Sequence, residues 1–146
     1  MKFKKLESGR SMVEMLGVLA IIGVLSVGGI AGYSLSMRRH RANQIIDIAA
    51  KYSLITYGNC QQKFINDNHE IYCERNIVPF ENSGLGNLPA GVTAFETGDI
   101  IFNSEDGSDD VTVEIHFSDE KLCQSVGSIT GTGCGSWGVH ITFKHD

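Results

Sequence analysis

Gly9 and Glu14 stand five residues apart at the head of the chain, where the sequence turns from basic to apolar. The leader MKFKKLESG ends in Gly9, a small residue that a protease can accept. The next stretch, Arg10 to Tyr33, reads RSMVEMLGVLAIIGVLSVGGIAGY and holds one carboxylate, Glu14, near its start. An ordinary secretory signal is cut after its apolar stretch. A cut after Gly9 comes before it, so the processed protein keeps the apolar segment and begins at Arg10. A charged carboxylate in such a segment costs on the order of 2–3 kcal/mol unless it is paired. Locally, Ser11-Met12-Val13-Glu14 fits a capping box, with Glu14 returning to the backbone N–H of Ser11.

The second set of chemistry-bearing residues is Cys60, Cys73, Cys123 and Cys134, all beyond the apolar segment. An even count in a small exported domain predicts disulfides and an oxidising compartment. Three connectivities are open. Loop closure favours Cys60–Cys73 and Cys123–Cys134, which close the shorter loops. Zinc ligation has no CxxC pair to support it, and a catalytic thiol has no motif.

Other candidates carry less. NSEDGSDD, residues 103–110, is acidic, but its spacing departs from the EF-hand loop, so it reads as a solvated turn rather than a calcium site. The histidines at 40, 69, 116, 140 and 145 show no ligand spacing in the linear sequence. No nucleophile elbow, phosphate loop or catalytic carboxylate pair is present in the sequence. The expectation is a protein that is not an enzyme and needs no metal or cofactor.

These residues require elements to place them. Met15 to Met37 is 23 residues without a charged side chain. As a helix it would extend ~35 Å, enough to cross a bilayer. Positive charge flanks it on both sides, so the cysteines rather than the charges orient it, with the C-terminal domain outside the cytoplasm. No proline occurs before Pro79, so one helix is predicted from Ser11 to Tyr57, ~70 Å long. Beyond the membrane, Ile45, Ile48, Ala49, Tyr52 and Ile55 form one apolar face, and Gly58 is the expected stop. Gly17, Gly23, Gly28, Gly29 and Gly32 each cost a helix roughly 1 kcal/mol against Ala. Gly28 and Gly32 make a GxxxG face for close helix approach. Gly23 to Gly32 is equally a candidate for local unwinding.

Charge divides the chain at the same place. Residues 1–41 carry net +5 and residues 42–146 net −10, within a total of −5. An acidic outer domain is a poor nucleic-acid partner. Its sequence reads as an irregular connection over 60–90, a strand at Ile100–Phe102 and a hairpin turn. Val111, Val113, Ile115 and Phe117 then alternate with polar residues, as do Val139, Ile141 and Phe143 later, marking two better strands. Ser118-Asp119-Glu120-Lys121 would cap a short helix bearing Leu122, Cys123 and Val126. Trp137 reads as partly buried core. The divisions expected are a leader over 1–9, a membrane helix over 10–37, its amphipathic half over 38–59, and a disulfide-bonded sheet domain over 60–146.

Gly9, the apolar run from Met12, and Glu14 at the fifth position after Gly9 resemble the class III leader of type IV pilins and pseudopilins. The first processed residue, usually Phe, Met or Leu in that family, is Arg10 here. The resemblance implies an α+β fold, the pilin α/β roll, in which a long N-terminal helix packs on a small antiparallel sheet. It implies cleavage after Gly9 and N-methylation of Arg10 by a prepilin peptidase. It also implies pairing of Glu14 with a neighbouring subunit's amino terminus, and helix packing through Gly23, Gly28 and Gly32. The implied partners are copies of the chain, other pilins and an assembly platform in a bacterial inner membrane. The chain would be anchored there by a single pass and later displayed in a surface pilus serving adhesion, motility or display.

Alternatives within reach are a type II secretion pseudopilin, or a minor pilin of a DNA-uptake pilus, which would need a basic stripe that the −10 balance argues against. A plain anchored protein that retains residues 1–9 is the third.

Overall fold

A computed structural model of the protein describes residues 7–102, 108–136 and 138–145, with side chains from Ser11 onward. The fold is α+β: a long N-terminal helix, of which the second half packs on a small antiparallel sheet. The chain divides into two compact units at Met37/Arg38. The first unit is helical from Glu7 onward, the start of helix α1 (Glu7–Gly58). That helix begins four residues before Ser11, so Ser11 lies inside it rather than at the N-cap the capping-box reading required. The helix continues without interruption through Gly23 to Gly32.

The second unit opens with the rest of α1, ending at the expected Gly58. Its buried residues are Ala42, Ile45, Ala49, Tyr52, Ser53 and Thr56. These recur every three or four positions, as one face of a 3.6-residue helix must. Burying a side chain such as Ile45 contributes about 1.5–3 kcal/mol. Ile48 and Ile55, also expected on that face, are half-buried at its margins. The two buried hydroxyls are satisfied inside the helix: Ser53 Oγ donates to the Ala50 carbonyl at 2.7 Å and Thr56 Oγ1 to that of Tyr52 at 2.9 Å. Tyr52 carries its phenol to the Val78 carbonyl at 2.8 Å. Its ring meets Phe80 edge-on at 5.4 Å, and Phe80 stacks on Phe95 at 4.7 Å. Burial pushes the Tyr52 phenol pKa up, against a smaller lowering effect of Thr97.

Among the described residues six strands follow: β1 (Phe64–Ile65), β2 (Ile71–Cys73), β3 (Val92–Thr97), β4 (Ile100–Phe102), β5 (Asp109–Phe117) and β6 (Gly138–His145). All pair antiparallel. β5 is the organising strand. Along one side it pairs with β6 from Asp109↔His145 to His116↔Gly138. Along the other it meets β4 at Ile101↔Asp110 and β3 from Thr97↔Val113 to Val92↔Phe117. β4 continues to β2, and β2 to β1. The expected pairing of 100–102 with 111–117 is thus reduced to one position, because β3 occupies most of that side of β5.

The region 60–90, expected to be irregular, holds β1, β2 and a 3-10 turn at Phe80–Asn82. Val111, Val113, Ile115 and Phe117 point inward with Val139 and Ile141 beside them, as their alternation predicts. Helix α2 (Glu120–Thr130) follows β5. Asp119 is its N-cap and accepts from the N–H groups of Lys121 and Leu122 at 2.9 and 3.3 Å. Gly131 ends it in the left-handed region at φ 74°. The end of β6 returns to α1: His145 stacks on Tyr57 at 4.9 Å, and its Nε2 lies 3.4 Å from Ser53 Oγ.

Candidate functional site

Gly9 and Arg10 fall in the helical backbone of α1, while their side-chain surroundings lie outside the described residues. Glu14 is exposed on the same helix. At 3.6 residues per turn, Glu14 and Gly32 are five turns apart and share one side of the helix. Gly28 lies one turn before Gly32 on that side, whereas Gly23 faces the opposite way. The carboxylate and the GxxxG pair therefore form one stripe, and Gly23 is not part of it. A Cβ at Gly23, Gly28 or Gly32 would meet nothing within 4 Å.

Between Glu14 and Gly28 the stripe is apolar, with Val18, Ile21 and Leu25 exposed on that side, and Leu16, Leu19, Ile22, Val24, Val27 and Ile30 are exposed around the rest of the helix. Two hydroxyls of this segment are turned back on the backbone: Ser26 Oγ donates to the Ile22 carbonyl and Ser34 Oγ to that of Ala31, at 2.7 and 2.9 Å. Such internal satisfaction suits a segment that leaves water. By length and composition, α1 is a helix that could cross a membrane.

The four cysteines form two disulfides, Cys60–Cys73 and Cys123–Cys134, with Cα separations of 6.1 and 5.6 Å. These are the pairings that loop closure favours. The first ties the exit of α1 to β2 rather than stapling a structureless loop. The second ties α2 to the segment before β6. All four sulfurs are committed to these bonds. Gly127 completes the second junction: a Cβ there would come within 2.5 Å of the Gly133 carbonyl carbon and 2.9 Å of the Cys134 nitrogen.

Of the acidic turn, Asn103 to Gly107 lie outside the described residues, as does Trp137. Asp109 begins β5 and accepts a hydrogen bond from Tyr57 Oη at 2.7 Å. That bond holds the Tyr57 phenol pKa above its ordinary value, with lesser contributions from burial and the Asp109 charge.

The linear sequence gave no sign of the arrangement on the outer face of the sheet. Glu96, Glu114 and His140 lie side by side across β3, β5 and β6, through the register pairs Glu96↔Glu114 and Glu114↔His140. His116, two residues along β5 from Glu114, points to the same face. Its Nε2 lies 3.5 Å from Glu114 Oε1 and 3.9 Å from Glu96 Oε2. His140 Nε2 approaches the same Glu114 oxygen at 3.6 Å. One donor atom from each of Glu96, Glu114 and His116 falls within a 4.8 Å group. Beside them Thr112 and Thr142 join hydroxyls at 3.0 Å. The histidines thus have a grouping that their spacing in sequence does not reveal, because strand register creates it.

No protein-family model, curated protein or solved structure matches the chain.

Proposed function

We propose that the chain is the structural subunit of a type IV pilus-like filament. In this reading a prepilin peptidase cuts after Gly9 and methylates Arg10. The segment 10–37 holds the subunit in a bacterial inner membrane with the disulfide-bonded domain outside the cytoplasm. An assembly platform then moves it into a surface polymer with copies of itself and other pilins. Helix packs on helix there, in place of lipid.

The observation that carries this reading is the stripe on α1: a carboxylate five residues past a cleavable glycine, in line with a GxxxG pair and surrounded by exposed apolar side chains. A carboxylate set in such a surface is costly in lipid. It becomes favourable when an amino terminus of a neighbouring helix lies against it, and the small residues of the stripe allow that neighbour to come close. Mass spectrometry of the mature N-terminus, from cells with and without prepilin peptidase, tests the reading. The expected result is a methylated Arg10 that depends on the peptidase. An intact Met1, or a cut beyond Tyr33, overturns it.

A further inference from the structure

The outer face of the sheet sets a puzzle that filament assembly does not address. Glu96 and Glu114 are directly opposed on neighbouring strands. Like charges in that position destabilise a sheet, and a half-exposed histidine beside them, His116, offsets little. Both carboxylates nevertheless turn an oxygen toward one imidazole nitrogen, and Glu114 Oε1 faces a second. A cation at the centre of this group would reverse the repulsion.

We propose that Glu96, Glu114 and His116, completed by His140, bind a divalent transition-metal ion of the zinc class. The donor set is two imidazole nitrogens and two carboxylate oxygens, which suits zinc rather than the all-oxygen preference of calcium or magnesium. The distances agree with that choice. Metal bonds of about 2.0–2.2 Å arranged tetrahedrally place neighbouring donors about 3.3–3.6 Å apart. Two separations fall in that range, 3.5 Å for His116–Glu114 and 3.6 Å for His140–Glu114, while His116–Glu96, at 3.9 Å, has to shorten as the ion binds. Three donors are already gathered, and the side chain of His140, 63% exposed, is free to swing the remaining distance.

The site spans β3, β5 and β6, so the bound ion would fasten three strands at once. It would hold β6 through His140, where β5 supplies that strand's ladder. An ion that binds the folded chain and not the unfolded one raises its melting temperature. This inference does not depend on the filament reading.

The test uses the full-length, untagged, oxidised protein in detergent micelles, stripped with a chelator. Zinc chloride is titrated by calorimetry, and cobalt chloride is titrated while the visible absorption is followed. One saturable equivalent of zinc, a higher melting temperature and intense tetrahedral cobalt bands are expected. His116→Gln and Glu114→Gln should each weaken binding at least about tenfold, the cost of losing even an outer-shell partner of a metal. His40→Gln should bind as the parent does. Both ligand substitutions lie on the outer sheet face, and unchanged far-ultraviolet circular dichroism would establish that each variant folds. Absence of saturable binding, cobalt spectra without tetrahedral bands, or equal affinity in both folded ligand variants overturns the proposal.

Discussion

Tyr57 Oη donates to Asp109 Oδ2 at 2.7 Å, joining the last turn of α1 to the first residue of β5 across 52 positions of sequence. Tyr57 also stacks on His145 and lies 5.8 Å from Phe102, so one side chain gathers β4, β5 and β6 at the end of the helix. Tyr57→Phe keeps the ring and removes the bond. The expected loss is about 1 kcal/mol, below the roughly 1.5–3 kcal/mol of a bond to a charged group because the site is only half-buried. Thermal unfolding of the two proteins at neutral pH measures it.

The same pair gives a pH dependence of definite sign. The Asp109 bond raises the Tyr57 pKa, so the folded state favours the protonated phenol. The stabilisation is complete below the unfolded value of about 10. It is lost as pH rises through the higher folded value. The stability difference between the parent and Tyr57→Phe should be constant through neutral pH and shrink in strong alkali. A difference that stays constant throughout would refute the assignment.

Gly127→Ala should be among the most damaging single changes in the domain. The added methyl meets backbone atoms of Gly133 and Cys134, which cannot rotate aside. Overpacking of this kind costs about 1–3 kcal/mol. Gly58→Ala is the control, since nothing lies within 4 Å of that position. Denaturant unfolding of both variants, compared with the parent, reads the contrast.

Each disulfide closes a short loop, with sequence separations of 13 and 11. The double replacements Cys60→Ser/Cys73→Ser and Cys123→Ser/Cys134→Ser should each cost about 3 kcal/mol on the loop-entropy estimate. Cys73 and Cys123 are buried, so serine there also leaves a hydroxyl in the core. Non-reducing mass analysis of the parent should find no free thiol, and melts of the two variants should fall well below it.

Glu14→Ala addresses assembly apart from folding. Glu14 belongs to the unit that ends at Met37, and the sheet domain begins beyond it. Membrane insertion and the melt of the domain should be unchanged, while sheared filament yield drops sharply. Parental yield from this variant would remove Glu14 from assembly.

What could be read in advance follows from periodicity. β5 buries Val111, Val113, Ile115 and Phe117 at every second position, and β6 buries Val139 and Ile141 with Phe143 half-buried. Asp119 marks α2, and 23 uncharged residues mark the apolar half of α1. β3 was hidden by its own geometry: a register shift between Val92 and Ala94 puts Val92 and Phe95 inward, so its apolar residues do not recur at every second position. β1 and β2 are two and three residues long, too short to show a period. The grouping of Glu96, Glu114, His116 and His140 was illegible for a different reason. It depends on which strands neighbour one another and in what register, and neither is written in the spacing along the chain.

Ser53 and His145 are 92 residues apart and end 3.4 Å from each other. The contact orders events in time. During synthesis the inward face of α1, from Ala42 to Thr56, emerges long before the strand that covers its end. Until β6 arrives, that face is open to whatever is nearby. Folding that waits on so distant a partner is slow compared with folding through local contacts. The interval between the appearance of the helix and the arrival of its last strand is when a chaperone, or another copy of the same protein, can occupy the unfilled surface.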